Sequence, residues 1–181
     1  MLLLIAQPSL IAMGRVTDHR KLGIAGGMVA IGVVLVAVYA ALEAATRPLM
    51  AARPPKDLAF VGVILFGILM FALLVGFAIA FRHKPQYHKR LMLLATINLL
   101  QAAVVRLPIS FPDIFGPART FLFADLFILP IIAWDIAVLR RVHPATLWGG
   151  LAIVVSLPVR FWVSETELWL TTAHWAVDSF K

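Results

Sequence analysis

Apolar residues in this chain come in long, nearly unbroken runs, and polar residues collect in the short stretches between them. Five runs, at about 22–45, 59–81, 86–107, 120–139 and 145–163, approach or exceed the roughly 20 residues needed to cross about 30 Å of hydrocarbon. The pattern predicts an all-α polytopic membrane helix bundle forming a single domain over 1–181. It has five full transmembrane helices, a short N-terminal apolar helix and a C-terminal interfacial helix over 164–181. Met1 to Met13 is apolar but contains Pro8 and lacks a basic n-region, so it reads poorly as a secretory signal. At about 1.5 Å per residue it reaches only about 20 Å, and the expectation is that a natural span begins upstream of Met1.

Each run has its own punctuation. Thr17 or Asp18 is placed to cap the first span, and Gly23-x-x-x-Gly27 within it would permit close helix approach. The second span has no ionisable residue and reads as a lipid-facing support helix. The third opens on the basic stretch Arg82–Arg90, with Pro85 suited to its first turn, and ends at Pro108. In the fourth and fifth spans, Pro130 and Pro158 should free the carbonyls of Leu126 and Val154. Such freed carbonyls are tolerated where helices pack or a cavity exists. In the tail, Leu168, Trp169, Trp175, Val177 and Phe180 are expected as interfacial anchors.

Composition strengthens the membrane reading. The 181 residues are 62% hydrophobic and 14% charged, more apolar surface than a soluble domain of this size can hide. The net charge of +7 sits beside apolar runs instead of forming a face, which points to the lipid bilayer as partner and excludes nucleic acid. With no Cys, disulfides, iron–sulfur clusters and thiolate chemistry are excluded. One set of alternate loops carries Arg15, Arg20, Lys21, Arg82, Lys84, Lys89, Arg90, Arg140 and Arg141; the other carries Arg47, Arg53, Lys56 and Arg119. The richer side is expected to be cytoplasmic, with the tail outside.

On this topology the ionisable residues form two layers. Glu43, Arg106, Asp125 and Arg160 lie toward the outer boundary, where an Arg106–Asp125 pair is expected with Arg160 and Glu43 adjacent. A structural ion-pair network is the plainer reading, and an outward pocket for an anionic or quinone-like ligand the sharper one. His88 and Arg106 should share the bundle-facing side of the third span, with Met92, Ala95, Leu99 and Ala102 between them. His19, His88, His143 and Asp135 lie toward the cytoplasmic boundary. Headgroup contact is the plain role for such histidines. The functional role is axial ligation of haem b by two of them, with Asp135 orienting His143 through its ring N–H.

The runs His19-Arg20-Lys21-Leu22-Gly23, His88-Lys89-Arg90-Leu91-Met92-Leu93-Leu94-Ala95-Thr96 and Val142-His143-Pro144-Ala145-Thr146, together with Arg106-Leu107-Pro108, Asp125 and Asp135, resemble a family of uncharacterised bacterial integral membrane proteins. The resemblance implies a bacterial inner-membrane location and a further N-terminal half-span. The His-x-x-x-Met spacing also resembles small oxidase-assembly membrane proteins and haem-b four-helix bundles. Three functions follow as expectations: a non-enzymatic accessory or assembly subunit of a membrane protein complex, a haem-b electron carrier, and a small transporter using the outer charged layer.

Overall fold

The computed structural model describes residues 2–46, 56–104 and 119–179. These residues form α1 (Leu2–Ala12), α2 (Val16–Thr46), α3 (Lys56–Ala80), α4 (Pro85–Val104), α5 (Arg119–Asp125), α6 (Ile128–Leu139), α7 (Pro144–Ser164) and α8 (Glu167–Ser179). The fold is all-α, as the pattern predicts. Among the described residues, four stretches are long and apolar enough to cross a membrane: Val16–Ala45, Leu58–Ala80, Thr120–Leu139 and Pro144–Ser164. The third predicted span, α4, falls short on composition and not on length. Its 20 residues reach about 30 Å, but Lys89, Arg90, Asn98 and Gln101 dilute its apolar character.

Contacts group the chain into two compact units, Met1–Tyr39 and Ala40–Lys181. In the first, α2 starts at Val16, well before the expected span, so Asp18 lies inside its first turn and does not cap it. There Asp18 accepts a hydrogen bond from Arg15 Nε at 2.7 Å. The Gly23-x-x-x-Gly27 motif makes no close helix crossing among the described residues: a Cβ at Gly27 would meet nothing within 4 Å, and one at Gly23 only the Gln7 side chain at 3.7 Å.

In the second unit α4 is the core helix, packed against α3, α5 and α7. It buries Arg90, Leu91, Leu94, Ala95, Ile97, Asn98, Gln101 and Val104. The expected inward face is therefore displaced. Ala95 is enclosed, but Met92 and Leu99 are exposed. At about 100° per residue, the stripe through Arg90, Leu94, Asn98 and Gln101 lies roughly opposite the one through Met92 and Leu99.

The expectation for α3 also needs correction. It is the most enclosed of the four apolar stretches, not a peripheral support. Lacking polar side chains over this stretch, it offers backbone carbonyls instead: Leu58 O accepts from Trp169 Nε1, Gly67 O from Asn98 Nδ2, and Ala78 O from His88 Nδ1. Val63 of α3, Phe121 of α5 and Leu157 of α7 close an apolar cluster beside it.

Pro130 cannot donate to Leu126, and the helix breaks there into α5 and α6. The freed Leu126 carbonyl is not left bare, because Leu129 N donates to it at 3.0 Å in a tight turn. Helix α7 instead continues through Pro158. It reaches α4 closely at Gly149, where a Cβ would stand 2.6 Å from Leu94 Cδ1.

The tail helix α8 is held by Trp169, which is therefore not an interfacial anchor. Its indole lies over Gly62 of α3, where a Cβ would come within 2.7 Å of the ring, and stacks at a tilt on Phe66 at 5.9 Å. Leu168 and Trp175 stay exposed, as anchors would.

Candidate functional site: two buried polar layers

The first layer centres on Asp135, which is fully buried beside an Arg90 only 3% exposed. Asp135 Oδ1 accepts from Arg90 Nε at 2.9 Å and from Arg90 Nη2. Its Oδ2 accepts from Thr146 Oγ1 at 2.6 Å and from the His143 backbone N–H at 3.1 Å. Arg90 Nη1 is directed back along α4 to Gln86 Oε1 at 2.6 Å and Gln86 O at 3.0 Å. Both carboxylate oxygens thus carry two donors each, and the arrangement ties α4, α6 and α7 together near one end of the bundle. Such an anion is saturated. It is suited to fixing helix register and not to accepting a ligand or proton.

Asp135 consequently does not play the role expected of it, since it meets the backbone of His143 and not the ring. The His143 ring caps α7: Nδ1 accepts from Ala145 N–H at 3.1 Å, with Pro144 at the first helical position. The Tyr87 ring meets it in a T-shaped arrangement with centroids 4.7 Å apart, and Lys84 lies over both Tyr87 and Phe81. Burial holds the His143 imidazole below its usual value of 6.5; Arg90 adds repulsion, Asp135 opposes it, and Arg141 and Lys89 add smaller repulsions.

These positions bear on the haem expectation. A neutral imidazole whose Nδ1 accepts from Ala145 carries its proton on Nε2, leaving no lone pair there for iron. His143 as placed does not fit an axial ligand. His88 is oriented differently, with Nδ1–H donating to Ala78 O at 2.8 Å, which leaves Nε2 with its lone pair. His19 belongs to the first unit, its Nδ1 lying 3.3 Å from Gln7 O. Among the described residues no group of three or more His, Asp or Glu is gathered as a metal site would need.

The second layer joins α4, α5 and α7. Arg160, 2% exposed, donates from Nη1 to Gln101 Oε1 at 3.2 Å, from Nη2 to Ser156 Oγ at 2.7 Å, and from Nε to Ser156 O at 3.3 Å. Gln101 Nε2 in turn donates to Asp125 Oδ1 at 2.7 Å. The expected proximity of Asp125 and Arg160 is present, but an amide that the sequence reading passed over bridges the two. Arg106 lies outside the described residues, and Glu43, toward the end of α2, is not free. Asn98, one turn before Gln101, donates to Gly67 O at 2.9 Å. Two acceptors here have no donor among the described residues: Asp125 Oδ2 and Asn98 Oδ1, both buried.

The residues missed are thus Arg90, Asn98, Gln101, Thr146 and Ser156. A helical wheel of the third span shows the signal, because Arg90, Asn98 and Gln101 fall on one side of it. Compared with known proteins, the chain matches no family model, no curated protein and no solved structure.

Proposed function

We propose that this chain is a five-span bacterial inner-membrane protein acting as a non-enzymatic accessory or assembly subunit of a larger membrane complex. The observation that carries this reading is the saturation of Asp135. The most deeply enclosed ionisable group among the described residues has four donors and serves to lock helices, so the chain presents rigid helix faces to its surroundings. Exposed aromatic residues on those faces, Trp134 and Trp148 among them, offer area to another membrane protein or to lipid. A bilayer crossing by α4 is supported by its packing against α3 and α7, and the excess of basic residues in one set of loops favours that side as cytoplasmic.

The test is purification of the chain from native membranes in mild detergent, alongside deletion of its gene. A second membrane protein should remain at fixed stoichiometry, and its assembled form should fall in the deletion strain. A chain that purifies alone, with every assembled complex unchanged in the deletion strain, would contradict the reading. The haem-carrier reading predicts a Soret band that disappears in His88→Ala; the placement of His143 favours a colourless protein.

A further inference from the structure

Asp125 and Asn98 pose a problem that the accessory role does not answer. Each presents a buried oxygen that accepts nothing from the described residues, in a cluster otherwise well bonded. Orphaned acceptors of this kind are rare in native interiors and call for a donor. A water molecule would need a void, and a void of that size would leave these oxygens accessible; they have essentially no accessible surface. An anionic or quinone-like ligand is also the wrong chemistry, since it would bring further acceptors to oxygens that already lack donors. A proton needs no space and converts one of the two acceptors into a donor.

We propose that Asp125 is a proton-binding site inside the membrane, taking up a proton on Oδ2 and releasing it again. Uptake forms one O–H bond from a proton supplied by water at the membrane boundary; release returns that proton and restores the carboxylate. Two features make both states tenable. Arg160 donates its hydrogen bonds to Gln101 Oε1 and to Ser156 O and Oγ, all neutral oxygens, so its bonding survives neutralisation of Asp125. When Asp125 is ionised, the guanidinium charge still acts on it through the Gln101 bridge. Arg160 is the charged group facing Asp125 among the described residues. Helix α4 contributes the amides of Asn98 and Gln101, and α3 contributes the Gly67 backbone. The sequence points the same way, because an ionisable residue inside the apolar stretch Thr120–Leu139 is costly and marks a proton or ion path by default.

The experiment is infrared difference spectroscopy of the full chain in lipid, recorded across the pH range in which it stays folded, with and without carbon-13 aspartate. The expected result is a carboxylic-acid C=O band that shifts with the isotope, appears and disappears reversibly with pH, and is lost in Asp125→Asn. Should that variant fail to fold, Gln101→Leu keeps the carboxyl and removes the amide that donates to its Oδ1; the band should then persist at a shifted frequency. An aspartate-derived band unchanged in both variants, or none at any pH for the folded wild type, would overturn the proposal.

Discussion

At the residue scale, the account turns on a difference between two aspartates. Asp135 is bonded on every side. Removing Arg90 leaves it charged and enclosed without a counterion, a change that typically costs about 3–5 kcal/mol. Arg90→Met should therefore lower thermal stability in detergent by that order, while Thr146→Val, which removes one neutral donor, should cost about 1–3 kcal/mol. Equal stability of Arg90→Met and wild type in a melting assay would show the pair to be dispensable.

His143 supplies a pH dependence whose sign follows from its cap. The folded state holds this imidazole below the usual 6.5, so the unfolded chain binds the proton more readily. Stability is full above that value and declines as pH falls through it toward the folded-state value, where the loss levels off. Protonation also removes the lone pair that accepts from Ala145. His143→Asn keeps a capping side chain without the titration, and its melting temperature should lose this part of the acid sensitivity. A variant with the same acid profile as wild type would assign the sensitivity elsewhere.

At the scale of helices, close approach is set by glycines other than the motif that stands out in the sequence. Gly62 admits the Trp169 indole, whose Nε1 donates to Leu58 O at 3.1 Å. Gly62→Val should force the ring out, costing about 1–3 kcal/mol and making the turn at Glu165 and Thr166 a protease site. An undigested tail in that variant would mean that α8 is held by other contacts.

The helices themselves were largely legible, because continuous apolar length leaves a chain few alternatives to helix in a bilayer. The break at Leu126–Phe127 was half legible: Pro130 announced a lost hydrogen bond, but not that the turn would reclose on the Leu126 carbonyl through Leu129. The candidate site was legible only in part. Asp125, Asp135 and Arg160 stood out as charges in apolar runs. Gln101 and Asn98 did not, since a neutral amide carries no such penalty. Arg90 reads as part of a basic loop because it closes the charged run Arg82–Arg90. Which side of the third helix points inward was decided by Arg90 and Gln101 finding partners on α6 and α7, a tertiary fact that a stripe drawn from His88 to Arg106 could not contain.

At the scale of the whole molecule, the claim is that a polar helix runs through the centre of an apolar bundle, with its basic start at one membrane face and the tail helix at the other. A chain without cysteine is well suited to testing this. The most direct measurement is labelling of single cysteines by a membrane-impermeant maleimide, in cells and in inverted vesicles, using His83→Cys before α4 and Thr171→Cys in α8. Both positions are exposed. The account predicts that His83→Cys reacts only from the cytoplasmic side and Thr171→Cys only from the opposite side. Labelling of both from one side would contradict it.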